Sequence, residues 1–246
     1  VIEVVDLWKA FGENQVLRGI TLSIPRGQTY VVLGGSGSGK TVLMKHVIGL
    51  LKPDRGSVSV DGVPISTLSG RALTRARDVF GMVFQGAALF DSMTVEENVA
   101  FPLNEKERSL SRDEVRRRCL EKLQVVDLGE EVLPRFPAEL SGGMRKRVAL
   151  ARALVSNPAI VLYDEPTTGL DPITSASVDE MILSAARKLS ITSMVISHDI
   201  ASAFKVADRL AVLYDGRLAA EGTSAEVKAS KDPYVQKFLS TWFEKQ

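Results

Sequence analysis

Eight consecutive residues, Gly34-Gly35-Ser36-Gly37-Ser38-Gly39-Lys40-Thr41, restrict what this chain can fold into more than any other feature. They fit the pattern G-x-x-x-x-G-K-[ST] and lie between an apolar run, Thr29 to Leu33, and a helical pattern, Val42 to Leu51. Strand, glycine-rich loop and helix in that order make a phosphate cradle. Glycines can take positive φ, which lets backbone N–H groups close around phosphate oxygens while the next helix presents its positive dipole end. In such a loop Lys40 pairs with the β and γ phosphates of a nucleotide, and the Thr41 hydroxyl reaches Mg²⁺. The bland alternative, a flexible Gly/Ser turn, has no need of the flanking strand and helix.

A length of 246 residues lies at the upper limit for one core, which favours one domain carrying a subdomain. The net charge of +1 supplies no global electrostatic reason to expect a nucleic-acid partner. The single cysteine, Cys119, excludes an internal disulfide framework and fits a reducing compartment. It shares a helical apolar face with Val115 and Leu123, so it reads as a buried structural thiol. No apolar run approaches the ~20 residues that span a bilayer, and the first residues lack a charged-then-apolar leader pattern. The expectation is a cytoplasmic chain that reaches a membrane only through another protein.

Short β-type stretches at Ile2 to Leu7, Val16 to Ile24 and Val58 to Val60 suit an antiparallel layer. Apolar strand candidates follow at Val79 to Phe84, Ala159 to Tyr163, Thr192 to Ser197 and Leu210 to Tyr214, with helical patterns between several of them. That alternation implies a largely parallel sheet covered by helices. Asp215-Gly216 is a hairpin turn into Leu218 to Glu221. Between Gln85 and Asn157 the pattern is helical, with capping-box starts at Thr94-Val95-Glu96-Glu97 and Ser111-Arg112-Asp113-Glu114. The run Arg116-Arg117-Arg118 sits among Asp113, Glu114 and Glu121 and reads as a solvated helix face. Asp171-Pro172 opens another helix, whose Val178, Met181, Ile182, Ala185 and Leu189 recur at helical spacing.

A phosphate loop needs an acidic element on a neighbouring strand to hold the metal, and Ala159-Ile160-Val161-Leu162-Tyr163-Asp164-Glu165 supplies one. Asp164 is placed to bind Mg²⁺ through water. Glu165 is placed to polarise the attacking water as general base, a role worth ~10² to 10⁴ in rate. A second glycine pair, in Leu140-Ser141-Gly142-Gly143-Met144, heads the helix Met144 to Val155, where N–H groups and dipole also suit an anion. One phosphate face is already enclosed by the first loop, so a second anion site is most useful against nucleotide held by another copy.

The phosphate loop, Leu140-Ser141-Gly142-Gly143 and Asp164-Glu165 together resemble the nucleotide-binding subunit of an ATP-binding cassette (ABC) transporter. The resemblance runs from about residue 2 to residue 228. It implies an α/β fold: a P-loop NTPase (RecA-like) core with an N-terminal antiparallel β layer and an inserted α-helical subdomain. On that pattern residues 1–230 form the ATPase domain, with the helical subdomain at about 86–157, and residues 231–246 form a C-terminal helical extension. The resemblance implies ATP bound by Gly34, Gly35, Ser36, Gly37, Ser38, Gly39, Lys40, Thr41 and Val42, with Phe11 stacking on adenine. Asp164, Thr41 and Gln85 would hold Mg²⁺, and Gln85 would also sense the γ-phosphate beside the helical subdomain. His198 matches the switch histidine that contacts the γ-phosphate, which sets Glu165, His198, Lys40 and Gln85 as the catalytic group. Ser141, Gly142, Gly143 and Asp171 would meet the ATP of an opposite subunit, giving two nucleotides sandwiched in a head-to-tail dimer. Met144 departs from the glutamine common at its position and removes an amide.

A narrower resemblance rests on Leu140 to Met144 followed by Arg145-Lys146-Arg147, on Phe84 to Ser92, and on Glu97 to Leu103. These stretches look most like the ATPase of the Mla lipid-transport system and its MCE-associated relatives. That implies phospholipid movement between bacterial membranes, an integral membrane permease seated beside Gln85 to Phe101, an MCE-domain protein, a STAS-domain subunit, and a place on the cytoplasmic face of the inner membrane. Amino-acid importers share parts of the pattern. Non-transport cassettes that act on DNA or ribosomes normally carry a long coiled-coil insertion or a second cassette, and this chain has neither. Tyr234, Phe238 and Trp242, with Val235, Leu239 and Phe243, form an apolar stripe on a C-terminal helix that suits either the chain's own core or a partner subunit.

Overall fold

The computed structural model describes residues 1–107 and 109–243, and of Trp242 and Phe243 the backbone alone. At the N-terminus, alternating burial makes a one-sided sheet. Strands β1 (Ile2–Phe11) and β2 (Asn14–Ile24) pair antiparallel, with Ile2, Val4, Leu7, Leu17 and Ile20 turned inward. Both strands run further than their apolar residues, because ladder hydrogen bonds continue through Lys9↔Leu17 to Phe11↔Asn14 whatever the side chains are.

Strand β3 (Thr29–Leu33), buried at every position, leads through the glycine loop into helix α1 (Lys40–Val47). The helix is shorter than its apolar pattern suggests: Gly49, at φ 68, takes the left-handed conformation that ends it. Strand β4 (Arg55–Val60) then joins β1 on its other side, completing a three-stranded antiparallel sheet of order β2-β1-β4. After α2 (Gly70–Ala76) comes β5 (Phe80–Val83), followed by the helices α3 (Val95–Lys106), α4 (Arg112–Val125) and α5 (Gly142–Leu154). The chain returns to the sheet as β6 (Ile160–Asp164), α6 (Pro172–Leu189), β7 (Thr192–Ser197), α7 (Ile200–Val206), β8 (Arg209–Tyr214) and β9 (Arg217–Gly222), and closes with α8 (Ser224–Lys228) and α9 (Pro233–Phe243).

The main sheet has six strands in the order β5-β6-β7-β3-β8-β9, parallel except for the β8–β9 hairpin. Asp215 (φ 44) and Gly216 (φ 72) make that hairpin turn, as the Asp-Gly pair requires. One face of this sheet packs on the antiparallel layer and α1, with Val32, Leu43, Leu162 and Met194 between them. The other face packs on the helices through Val31, Val161, Val195, Val148 and Ile182. Burial on both faces is why β3, β6 and β7 read as unbroken apolar runs.

Between β5 and β6, Asn98 is fully buried and makes the approach to α3 rigid: its Oδ1 accepts from the Phe90 N–H and its Nδ2 faces the carbonyls of Phe90, Met93 and Thr94 at 2.8–3.0 Å. Thr94 and Glu97 cap each other reciprocally as expected. Ser111 also caps its helix, accepting from the Glu114 N–H, but the reciprocal bond is absent among the described residues. The Glu114 carboxylate is taken instead by Arg117 and Arg118, which hold its pKa down at about 2. Arg116 pairs with Glu96 and Glu130, so all three arginines of the run are matched by acids. Cys119 is buried as expected.

On α9, Val235 and Leu239 are buried in this chain's own core, while Tyr234 and Phe238 pack partly exposed beside them. The side chains of Trp242 and Phe243 lie outside the described residues.

Candidate nucleotide site

Three parallel strands end at one edge of the main sheet, and each delivers part of the site. Leu33 on β3 is level with Ser197 on β7, and Asp164 on β6 is level with Ile196. The glycine loop, the pair Asp164–Glu165 and His198 therefore emerge side by side, at the carboxyl ends where open α/β sheets bind ligands.

The loop is close-packed beneath. A Cβ on Gly34 would lie 2.5 Å from the Leu213 carbonyl oxygen and 2.6 Å from Ser38 Oγ. Gly39 sits at φ 105, a conformation side chains rarely adopt, and turns the chain into α1. Lys40 is 6% exposed. Its Nζ donates to the carbonyl oxygens of Gly34 at 2.8 Å and Gly35 at 3.0 Å, and stands 3.5 Å from Glu165 Oε1. A buried ammonium requires such partners. Gly37 to Val42 line a small cleft whose far wall is Val16 of β2.

Glu165 is the best-anchored acid of the site. Its Oε2 accepts from the Thr168 hydroxyl at 3.0 Å and from the His198 N–H at 3.3 Å, and lies 2.7 Å from His198 Nδ1. Its Oε1 faces Lys40. The residue has φ 50, a strained conformation for a long side chain, costing about 1–3 kcal/mol, held by a bond from its N–H to the Ile196 carbonyl. With Nδ1 occupied, His198 is left to present Nε2 outward on a half-exposed ring.

Asp164 is half-buried, and its pKa is raised first by burial and then by the neighbouring Glu165 charge, against the pull of Lys45, Lys40 and Lys146. Among the described residues no three His, Cys, Asp or Glu side chains gather as a metal cage. One half-buried carboxylate, with the exposed Thr41 hydroxyl and the exposed Gln85 amide expected to join it, is a sparse, all-oxygen donor set. It fits Mg²⁺, which keeps most of its waters and relies on substrate phosphates, and does not fit Zn²⁺. Phe11 is 48% exposed at the end of β1, with Lys9 Nζ 5.6 Å from its ring centre, so it is not a core residue.

Ser141, Gly142, Gly143 and Asp171 meet elsewhere. They line a second cleft with Leu170, Ile173 and Thr174, which shares no residue with the cleft at Lys40. Ser141 caps α5, accepting from the Met144 N–H at 3.2 Å, so Gly142 and Gly143 form the first turn of that helix, two residues earlier than its apolar pattern begins. Asp171 caps α6, accepting from the N–H groups of Ile173 and Thr174 and from the Thr174 hydroxyl. Within one chain the two glycine loops thus line different clefts.

The family model for ABC transporters matches residues 17–168, well over half of the chain. This chain belongs to the ABC transporter family. It is 42% identical, over 97% of its length and 68% of the relative's, to the probable ribonucleotide transport ATP-binding protein mkl of Mycobacterium leprae. It is 40% identical, over 98% of its length and 71% of the relative's, to the methionine import ATP-binding protein MetN of Escherichia coli. Among solved structures, the ATP-binding cassette MJ0796, a dimer bound to ADP and Pi, superposes with a TM-score of 0.81 at 34% identity, covering 91% of this chain and 98% of that one. The protein cbiO1 of Clostridium perfringens, part of the ABC transporter complex cbiONQ, gives 0.86 at 31% identity over 97% and 94%. The fold is that of an ABC ATPase, and the chain is the ATPase subunit of an ABC transporter.

Two residues that support this cassette have no structural role assigned from the sequence. Lys146 is 5% exposed on the buried face of α5, and its Nζ donates to the Gln85 carbonyl, tying the second glycine loop's helix to the Gln85 segment. Its charge also faces Asp164, and burial lowers its pKa. Arg152, one and a half turns on, donates to the carbonyls of Ala87 and Ala88, which sit at φ 63 and 49. The legible signal for both is a cation on the apolar face of an amphipathic helix. Read as part of a basic run, Lys146 escapes notice.

The packing under the glycine loop separates two neighbouring substitutions. Gly34→Ala drives a methyl into backbone and is expected to cost about 1–3 kcal/mol, lowering the melting temperature by roughly 2–10 °C and weakening ATP binding. Gly35→Ala meets nothing closer than the Tyr234 hydroxyl at 3.8 Å and is expected to melt within about 2 °C of wild type. Equal melting temperatures for the two would contradict the close packing at Gly34.

Proposed function

We propose that this subunit hydrolyses ATP between two copies of itself and drives phospholipid transport through an integral membrane permease. The reading rests on one observation above all: the phosphate loop and the Ser141 loop line separate clefts of the same chain. Two anion-binding helix ends that line different clefts of one chain can meet at one nucleotide when two chains face each other head to tail. The dimeric MJ0796 cassette bound to ADP and Pi is a precedent for such an assembly.

In the proposed reaction Lys40 exchanges its loop carbonyls for the β and γ phosphates of ATP. That exchange releases Glu165 Oε1, which then accepts a proton from the attacking water, while Thr168 and His198 keep the carboxylate oriented through Oε2. His198 Nε2 contacts the γ-phosphate. Asp164, Thr41 and Gln85 would hold Mg²⁺, which supplies charge neutralisation at the phosphate oxygens. Phe11 supports the adenine, and Ser141, Gly142, Gly143 and Asp171 close on the nucleotide of the opposite copy.

The permease contact proposed here is the apolar cleft formed by Phe80, Met82, Phe84, Phe90, Phe101 and Pro102. It lies directly beyond Gln85, so a helix seated there would press on the same segment that Lys146 and Arg152 hold. Among the described residues no helix is long and apolar enough to cross a membrane. The phospholipid cargo, with MCE-domain and STAS-domain partners at the bacterial inner membrane, is supported by the sequence from Leu140 to Arg147. A second reading, import of a small solute, is favoured by the relatedness to MetN, and mkl is named for ribonucleotides.

Glu165→Gln is expected to keep ATP binding and lose about 10²- to 10⁴-fold in turnover, leaving an ATP-stabilised dimer measurable by light scattering; normal turnover would remove Glu165 from the role of base. Ser141→Arg is expected to bind ATP yet remain monomeric with it, and an ATP-dependent dimer of that variant would sink the sandwich. For the cargo, the intact complex is purified through a tag on this subunit and its proteins and lipids are identified by mass spectrometry. Phospholipid with an MCE-domain protein supports the first reading; a soluble solute-binding protein without lipid supports the second.

A further inference from the structure

Helices α6 and α7 are joined by a buried polar pair. Asp179 on α6 and Ser202 on α7 are 4% and 5% exposed, on helices whose Val178, Ile182, Ala203 and Val206 belong to the core. The Ser202 hydroxyl donates to Asp179 Oδ1. Burial raises the Asp179 pKa by more than the Ser202 hydroxyl and Lys205 lower it, so the carboxylate is kept inside at a cost. The other bond across the seam, from Lys205 Nζ to the Ala176 carbonyl at 3.4 Å, lies at its exposed rim, as does the Lys205–Glu180 ion pair. An apolar pair of similar size would join the two helices without that cost. What it would not supply is direction.

That direction is passed to the nucleotide site through a single turn of helix. Ser202 also donates its N–H to Asp199 Oδ1 at 3.2 Å, and Asp199, the cap of α7, directly follows His198. The Asp199 N–H donates to Ser197 Oγ at 2.9 Å, at the end of β7, and its Oδ2 stands 3.5 Å from the buried Thr167 hydroxyl. The neighbours of this cap are the working groups: the His198 N–H and Nδ1 meet Glu165 Oε2, which the Thr168 hydroxyl also holds. Ser202 is thus bonded to α6 through its side chain and to the cap beside His198 through its backbone.

We propose that Asp179 is a positioning residue for ATP hydrolysis: by orienting Ser202 it fixes the Asp199 cap and keeps His198 in line with Glu165. It acts through Ser202 and Asp199, from inside the core. The role rests on the reading of Glu165 as general base with His198 beside it and goes beyond it, since no nucleotide motif reaches into the middle of α6. A misplacement of a working group far smaller than a side chain slows a reaction, so a directional bond behind the His198 turn bears on turnover more than on binding.

The test compares wild type with four variants of this chain: Asp179→Asn, Ser202→Ala, the double variant Asp179→Val with Ser202→Ala, and Ile182→Val, which loosens the buried face of α6 and leaves the polar pair in place. Steady-state phosphate release gives kcat and KM, titration calorimetry the ATP Kd, and a calorimetric scan the melting temperature. Ser202→Ala and the double variant are expected to lower kcat about three- to tenfold, the range of one hydrogen bond, with the ATP Kd within about twofold of wild type. Of these two, only Ser202→Ala is expected to lose melting temperature, because the double variant leaves no buried carboxylate unpaired. Asp179→Asn keeps an acceptor oxygen for Ser202 and is expected to hold kcat within about twofold. Ile182→Val is expected to melt lower with kcat unchanged. An unchanged kcat in both Ser202→Ala and the double variant overturns the proposal. So does a kcat that follows melting temperature across all five proteins, which would make the pair mere packing. Normal turnover by Glu165→Gln would sink the base reading itself, and is told apart because that variant keeps the Asp179 link intact.

Discussion

Glu165 stands between two groups that have to be near it, and much of the fold serves that placement. A lysine that is 6% exposed needs negative or carbonyl oxygen around it, and an acid forced to φ 50 needs something to hold it there. Parallel pairing of β3, β6 and β7 satisfies both, because it brings the ends of three strands to one edge with a stagger of a single residue. With β7 antiparallel to both its neighbours, His198 would have emerged at the end opposite Lys40 and Glu165. The helices and the N-terminal sheet then exist to bury the two faces that such a parallel sheet leaves apolar.

The helices between β5 and β6 are joined to this edge by cations and carbonyls as well as by apolar packing. Lys146 and Arg152 reach from α5 to the backbone at Gln85, Ala87 and Ala88, across a segment that leaves the sheet and carries two left-handed residues in a row. Hydrogen bonds to charged donors are directional and stronger than neutral ones. The position of the second cleft relative to the first is therefore set by a few identifiable bonds, and a displacement at either end would be felt through them.

What was legible in the sequence followed from backbone chemistry. Asp215-Gly216, Thr94 to Glu97, Asp171-Pro172 and the glycine loop each announce a local geometry that few other residue choices permit, and each is present. Thr192 to Ser197 is bounded to the residue because a strand buried on both faces is apolar or small throughout. Boundaries moved where pairing or capping, invisible as a pattern, took over: β1 and β2 lengthened along their ladder, and α5 began at Gly142 because Ser141 caps it. Glu114 shows a competition the pattern cannot rank, since the same carboxylate can serve a helix end or two arginines. Lys146 and Arg152 were hidden for a different reason. Their partners are main-chain atoms far away in sequence, and a main-chain partner leaves no trace in residue identity.

The loop before α6 spends its own side chain on itself. Both carboxylate oxygens of Asp171 are engaged by the first turn of the helix it opens, at distances of 2.5 to 3.0 Å, so the anion is held locally and the loop is stiff before anything approaches it. What that stiff corner offers outward is Ile173, 85% exposed and next in line after Pro172. An apolar side chain on a preordered corner loses little freedom when a surface closes over it, so association there would draw on water release with almost no entropy forfeited by the loop.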